Sequence, residues 1–161
     1  MALTPHWTVR ELLGYALAQE RLKTAEVAVR IASVLELAEL ESLADQRCRE
    51  LSGGEQRRVG LARALIRHPP VVLLDEPLSE LDRLLGDRLR TKLRRWFQAH
   101  PALVLWVTHD RTDAEQGAEQ DSNQAAPQVL VMGEGKILQA GTLAELRSGP
   151  TMELVREFVG R

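Results

Sequence analysis

Two acidic residues, Asp75 and Glu76, follow directly after a run of four aliphatic residues from Val71 to Leu74. An acid in the first position can hold Mg²⁺ through water, and its neighbour can orient an attacking water molecule in phosphoryl transfer. Adjacent acids after a strand are more often a solvated strand end or a helix cap. The pair on its own therefore leaves both interpretations open.

A serine and two glycines, Ser52, Gly53 and Gly54, precede a segment with apolar residues on one side at helical spacing. Several N–H groups at a helix start have no partner within the helix, and glycine lets a phosphate approach the backbone closely. The positive end of the helix dipole favours such an anion. The same residues also make an ordinary helix cap, so the pattern is informative only together with the acids.

The elements that must position these residues begin with helices. Thr8 and Glu11 have the spacing of a capping box, which predicts a helix from about Thr8 to Ala18. From Ala25 onward, apolar residues again recur at helical spacing with charged residues between them. Residues 1–68 are therefore predicted to be helical.

Beyond residue 68 the pattern predicts two strands joined by a helix. The run from Val71 to Leu74 is short, apolar on both faces and bounded by proline, which is typical of a buried parallel strand. Leu103 to Thr108 is the second such segment, and a strand–helix–strand connection places the two strands side by side and parallel. Ligands usually bind at the carboxyl edge of such a sheet, where Asp75, Glu76 and His109 are expected to emerge.

The C-terminal part predicts a small hairpin followed by helices. Val129 to Met132 and Ile137 to Ala140 are apolar runs joined by a glycine-bearing turn, the pattern of a β-hairpin. Thr142 and Glu145 form a second capping box, and a last helix is predicted from about Thr151 to Val159.

Composition narrows the class of partner and the cellular setting. Lys and Arg number 21 against 23 Asp and Glu in 161 residues, so the net charge of −2 predicts no nucleic-acid partner. Cys48 is the only cysteine, which excludes an internal disulfide and fits a reducing, cytoplasmic setting. His6, His68 and His100 have no acids or cysteines at metal-ligand spacing and are predicted to be surface or turn residues.

Four motifs in order closely resemble the ATP-binding subunits of ABC transporters, of the importer type. They are Leu51-Ser52-Gly53-Gly54-Glu55-Gln56-Arg57-Arg58, Leu61-Ala62-Arg63-Ala64-Leu65, Leu73-Leu74-Asp75-Glu76-Pro77-Leu78-Ser79-Glu80-Leu81-Asp82 and Val107-Thr108-His109-Asp110. The flanks, from Leu3 to Glu11 and from Gly135 to Thr142, resemble such subunits as well. The order and spacing of the motifs make chance a poor explanation.

The resemblance implies a role for each candidate site residue. Asp75 matches the acid that holds Mg²⁺ through water, Glu76 the catalytic glutamate, and His109 the switch histidine that senses the γ-phosphate. Four residues match the signature motif, which contacts the γ-phosphate of ATP held by the opposing subunit: Ser52, Gly53, Gly54 and Glu55. Three match the D-loop, which runs along the dimer interface: Ser79, Leu81 and Asp82.

The implied fold is α/β, a partial P-loop NTPase fold of the ABC ATPase type. Residues 1–68 would be a helical subdomain with the signature motif and its helix. Residues 69–161 would be the C-terminal part of the ATPase core, with a parallel sheet, a small hairpin and terminal helices. The implied function is an ATP-binding and ATP-hydrolysing subunit, or a truncated fragment of one, that energises an import system. ATP and Mg²⁺ would be its ligands. A second ATP-binding subunit and transmembrane permease subunits would be its partners and hold it at the inner face of the cell membrane.

Two departures from the family pattern keep alternatives open. No Gly-x-x-x-x-Gly-Lys-Ser/Thr sequence occurs, so the phosphate-binding loop expected before Met1 is absent and the chain is expected to be inactive alone. Glu115 to Gln128, where the family has a helix, is rich in glutamine and alanine and is predicted to be a loop. The alternatives are a non-catalytic remnant or a soluble ABC-type ATPase of the translation-associated class, in which the Gly-Gly-Glu form of the signature also occurs.

Overall fold

The structure, a computed structural model, describes residues 4–79, 81–118 and 127–160. The chain divides into two compact units, Met1–Val107 and Thr108–Arg161. The helical-subdomain boundary after residue 68 stays a prediction.

Three helices and two short 3-10 turns open the first unit. The helices are α1 (Val9–Ala16), α2 (Thr24–Leu37) and α3 (Gly53–Leu65), and the turns are Glu41–Leu43 and Cys48–Glu50. The capping box predicted at the start of α1 is confirmed. The Glu11 N–H donates to Thr8 Oγ1 at 3.1 Å, and the Thr8 N–H donates to Glu11 Oε2 at 2.8 Å. The helix ends two residues earlier than predicted.

A strand–helix–strand segment completes the first unit: β1 (Val71–Asp75), α4 (Arg83–Ala99) and β2 (Leu103–Val107). The predicted parallel pairing is confirmed, with a register that runs from Val71 opposite Leu103 to Asp75 opposite Val107. The prediction that β1 is buried on both faces is wrong for this chain. Val72 and Leu74 are buried, whereas Val71 and Leu73 are 53% and 71% exposed. Only one face of the sheet is covered by described residues.

The helices and the covered sheet face share one hydrophobic core. Its largest fully buried side chains are Leu13, Leu17, Leu40, Leu65, Ile66, Leu89 and Leu93. Burying a leucine or isoleucine completely contributes about 1.5–3 kcal/mol. Because α3 and β1 pack into the same core, the start of α3 has a fixed position relative to the carboxyl end of β1.

A charged cluster ties the end of α2 to α3 and α4. Glu39 accepts hydrogen bonds from Arg88 at 3.0 Å and forms an ion pair with Lys92 at 3.3 Å. Arg58 Nη1 donates to the Ala38 carbonyl at 2.8 Å and also to the Glu39 carbonyl. The Arg88 guanidinium holds the pKa of the Glu39 carboxyl below its usual range. The cluster thus satisfies carbonyls that α2 leaves unpaired at its C-terminus.

The second unit contains α5 (Arg111–Ala118), β3 (Val129–Gly133), β4 (Lys136–Gly141), α6 (Leu143–Ser148) and α7 (Glu153–Val159). The predicted hairpin is confirmed, since β3 and β4 pair antiparallel. Glu134 and Gly135 in its turn have φ values of 50° and 73°. Two-residue hairpin turns whose twist matches that of the strands require a positive φ at both central residues, and this turn meets that requirement. The predicted capping box at the start of α6 is also confirmed.

The loop predicted for Glu115 to Gln128 is wrong at its beginning, because residues 115–118 belong to α5. Glu115 Oε1 accepts from Arg111 at 2.7 Å and from Arg147 at 2.5 Å. These ion pairs of Glu115 support the helix there, and they leave no hydrophobic signal in the sequence. Residues 119–126, the middle of the predicted loop, lie outside the described residues.

An aromatic cluster lies between the end of α3 and the end of α4. The His68 and His100 ring centroids are 4.0 Å apart, and His100 stacks on Trp96 with centroids 4.2 Å apart. Both histidines lie in turns as predicted, but their rings are half-buried. Burial lowers the pKa of His68, and the neighbouring His100 and Arg30 lower it further, against a smaller opposing effect of Glu20.

Lowering the pH from 7.5 to 5.5 is expected to reduce the free energy of unfolding. Unfolded His68 takes up a proton near the ordinary histidine pKa of about 6.5, whereas the folded chain resists protonation of this ring. The contribution of His68 is therefore fully present above about pH 6.5 and declines as the pH falls below it. Urea unfolding at both pH values measures the change.

The variant His68→Gln should show a smaller loss over this pH interval, and His6→Gln, at an exposed position, should behave like the parent chain. Carboxylates with a lowered pKa, such as Glu39, lose their contribution only at more acidic pH. An equal pH dependence in the parent chain and in His68→Gln would contradict the assignment.

Candidate active site

Ser52 is the N-cap of α3, as its position before two glycines predicts. Its hydroxyl accepts from the Glu55 N–H at 3.4 Å, and Glu55 Oε2 accepts from the Ser52 N–H at 2.7 Å. The Ser52 hydroxyl also donates to Glu55 Oε2 at 2.8 Å. These bonds hold the pKa of the Glu55 carboxyl below its usual range, and the bond from the Ser52 backbone N–H has the largest effect. Glu55 is therefore an ionised carboxylate folded back onto the helix start.

The two glycines that follow have different surroundings. A Cβ atom added at Gly53 would have no described atom within 4 Å, so the backbone is accessible there. A Cβ at Gly54 would lie 3.4 Å from Leu81 Cδ2, so this glycine packs against the loop that precedes α4. N–H groups in the first turn of a helix have no acceptor within the helix. At Gly53, unlike at Gly54, the backbone is accessible to a ligand that could supply one.

Asp75 ends β1, and Glu76 turns the chain away from the sheet. Asp75 is exposed and Glu76 is half-buried. The Glu76 N–H donates to the Val107 carbonyl at 2.9 Å, which extends the strand pairing by one residue. Glu76 has a φ of 48°, a left-handed conformation that is uncommon outside glycine. The cost of such a conformation is about 1–3 kcal/mol, and it tends to persist at functional sites.

An open cleft of about 590 Å³ separates the start of α3 from the carboxyl end of β1. Three predicted site residues line it: Gly53, Asp75 and Glu76. Gln56, Arg57 and Gly60 from α3 line it as well. Sequence analysis placed Gln56 and Arg57 in the first motif but assigned none of these three residues to the site, because polar residues and glycine on a helix face carry no signal of their own.

The predicted D-loop residues form the segment that links Glu76 to α4. The Ser79 hydroxyl donates to the Glu76 carbonyl at 2.9 Å. Asp82 caps α4 by accepting from the Leu85 N–H at 3.0 Å. Asp82 thus has a structural task in this chain that is independent of any partner.

His109 belongs to the second unit, where it is exposed in the bend before α5. The residues on either side of it are held by hydrogen bonds. The Thr108 hydroxyl accepts from the Asp110 N–H at 2.9 Å and donates to Asp113 Oδ2 at 2.7 Å. Asp110 accepts from the Thr112 N–H at 2.8 Å. The backbone around His109 is therefore fixed within its own unit.

The donor set at the end of β1 fits Mg²⁺ held mainly by water and phosphate. Within residues 4–79, 81–118 and 127–160, no group of three or more His, Cys, Asp and Glu side chains could hold a metal ion by itself. Mg²⁺ is usually bound through one or two carboxylates, with water and substrate phosphates as the other ligands. Asp75, exposed at the mouth of the cleft, supplies such a carboxylate.

None of the helices in the described part of the chain has the length and apolar character needed to span a bilayer.

Comparison with known proteins identifies relatives of the whole chain. The family model described as ABC transporter matches residues 1–79. The sn-glycerol-3-phosphate import ATP-binding protein of Chromobacterium violaceum is 39% identical over 159 residues, which is 99% of this chain and 41% of that protein. The Fe(3+) ions import ATP-binding protein of Photorhabdus laumondii is 42% identical over 159 residues, 99% of this chain and 43% of that protein.

The fold agrees with solved structures. A dimeric bacterial ABC transporter cassette superimposes with a TM-score of 0.73 at 28% identity, covering 87% of this chain and 58% of the cassette. A dimeric post-hydrolysis state bound to ADP and Pi superimposes with a TM-score of 0.71 over the same shares. The chain spans about two fifths of the length of the curated relatives that it matches. Over 99% of its length the chain is similar to part of the ATP-binding subunits of import systems, and its first 79 residues match the ABC transporter family.

Proposed function

We propose that this chain forms the signature and hydrolysis part of an ATP-binding subunit that drives import through membrane permease subunits. The observation that carries the proposal is the cleft in which the start of α3 faces Asp75 and Glu76. Gly53 at the helix start and both acids border this space. In a dimer they would serve different ATP molecules, the acids the one bound by this subunit and the helix start the one that a second subunit holds. Relatives that are import ATP-binding proteins support the import direction.

Asp75 and Glu76 divide the work of phosphoryl transfer in this proposal. Asp75 would hold Mg²⁺, which would supply neutralisation of charge on the ATP phosphates. Glu76 orients the attacking water molecule and accepts its proton. The left-handed backbone at Glu76 directs the chain away from β1 and leaves this residue at the cleft wall. His109 senses the γ-phosphate from its own unit.

The start of α3 contacts ATP that a second subunit holds. Ser52, Gly53, Gly54 and Glu55 face the γ-phosphate across the dimer interface, and Ser79, Leu81 and Asp82 line that interface. The accessible backbone at Gly53 and the positive end of the α3 dipole suit an anion there. The dimeric form of the superimposed cassette supports such an arrangement.

A phosphate-binding loop has to come from another segment, because the 161 residues contain none. The second candidate is a non-catalytic remnant that at most dimerises. Permease subunits would recruit the assembly to the inner face of the membrane.

The 161-residue chain by itself is expected not to hydrolyse ATP and to bind Mg-ATP poorly. Two carboxylates beside a triphosphate repel it unless backbone N–H groups and a lysine neutralise its charge. Titration calorimetry with Mg-ATP, run alongside a phosphate-release assay, tests both points. Micromolar affinity with turnover that Glu76→Gln abolishes would reveal an ATP site within this chain.

Adding a polypeptide that carries the phosphate-binding loop of the iron-import relative is expected to yield an ATPase. In this complemented assembly Glu76→Gln should retain ATP but slow its hydrolysis by about a hundredfold or more, the usual size of a general-base contribution. Glu41→Gln, at an exposed position, is the matched control. Hydrolysis within a factor of a few of the parent in Glu76→Gln would exclude the catalytic role of Glu76.

Mixing the chain with a complete relative subunit tests the signature motif. Ser52→Arg would fill the γ-phosphate position and should lower ATP turnover of the mixed dimer at least about tenfold, since a steric block removes the bound geometry. Ser42→Arg places the same side chain at an exposed serine of a short 3-10 helix and should have no effect. Parent-like turnover with Ser52→Arg would favour the non-catalytic remnant.

A further inference from the structure

The loop between Glu76 and Asp82 is fastened to the side of α3 by one arginine. Arg57 Nη1 donates to the Ser79 carbonyl and to Ser79 Oγ, both at 3.0 Å. The Ser79 hydroxyl in turn donates to the Glu76 carbonyl at 2.9 Å. We propose that Arg57 is a positioning residue that fixes the Glu76 loop to the helix beginning at Ser52. This inference rests on the proposed function.

The chemistry of the contact suits arginine. The Nη1 amino group, which carries two N–H bonds, donates to two acceptors on the same residue, while the Ser79 hydroxyl keeps its hydrogen for the Glu76 carbonyl. The guanidinium is planar, always charged and rich in donors, so it can hold such a fork without losing its charge. Lysine offers a point charge with less directional donors, and glutamine offers no charge.

The loop needs an external support. Glu76 lies in a left-handed conformation, and the next backbone bond of the turn, from the Ser79 N–H to the Glu76 carbonyl, is 3.3 Å long. The following bond, from the Leu81 N–H to the Leu78 carbonyl, is 3.4 Å long. Both are near the long end of hydrogen-bond distances. The two bonds from Arg57, both 3.0 Å long, are shorter than these backbone bonds and hold the loop from outside, while the 2.9 Å bond from the Ser79 hydroxyl to the Glu76 carbonyl supports it from within.

A second contact joins the same two segments one turn nearer the helix start. Gly54 lies beside Leu81, so close that an added Cβ would reach van der Waals contact at 3.4 Å. The side of α3 therefore touches the loop at Gly54 and at Arg57. A shift of the helix start, such as one caused by phosphate at Ser52, would reach Glu76 through Ser79.

Arg57 is exposed, so its role lies in geometry rather than in stability. In the complemented assembly, Arg57→Gln is expected to lower kcat about tenfold with KM within about twofold, because small misplacement of a catalytic group slows chemistry more than binding. Arg57→Lys should recover part of this loss. Arg63→Gln, six residues further along α3 and outside the cleft lining, is the matched control. A kcat for Arg57→Gln equal to that of Arg63→Gln overturns the proposal.

Amide hydrogen exchange of the full 161-residue chain separates this inference from the proposed function. The Ser79 and Leu81 amides should exchange about tenfold faster in Arg57→Gln than in Arg63→Gln, because loop opening becomes easier. Equal rates in the two variants overturn the proposal. If the complemented parent chain is inactive, the proposed function fails, and the exchange rates alone then decide whether Arg57 fixes the loop.

Discussion

Parallel pairing of β1 with β2 is the constraint on which the arrangement of the site depends. Parallel strands cannot be joined by a tight turn, so a long crossover is required and α4 supplies it. The crossover covers one sheet face and returns the chain so that both strands end at the same edge. The bond from the Glu76 N–H to the Val107 carbonyl continues the pairing past Asp75 and fixes the point where the chain leaves the sheet.

The helical region keeps a fixed position relative to this edge, because its helices and the sheet pack into one hydrophobic core. The cluster of Arg58, Glu39 and Arg88 adds polar ties between α2, α3 and α4 at the surface. Ion pairs at a protein surface contribute roughly 0–1 kcal/mol each, so the apolar core supplies most of the stability of this unit. The charged cluster instead fixes how α2, α3 and α4 are placed against one another. The start of α3 is thereby held opposite the acids.

Much of this could be predicted from residue patterns that act locally. Capping boxes at Thr8 and Thr142 and the hairpin turn follow from residues near in sequence. The parallel pairing of β1 with β2 follows from the strand–helix–strand order of the segment. The roles of the motif residues came from resemblance and stay proposals. Features that depend on distant partners could not be predicted: the contact of Arg57 with Ser79, the aromatic cluster at His68 and the ion pair of Glu115 with Arg147. Such contacts use residue types that are common on any helix surface.

The capping box at Ser52 has a consequence for the anion binding proposed at this helix start. A hydroxyl has one hydrogen, and Ser52 already donates it to the Glu55 carboxylate. A phosphate oxygen that takes this hydrogen must displace an ionised acceptor belonging to the same helix. Under the proposed role of Ser52, binding of a phosphate oxygen would compete with this internal bond, and the net free energy would be only the difference between the two acceptors. The Glu55 carboxylate would then lower the affinity of the helix start for phosphate.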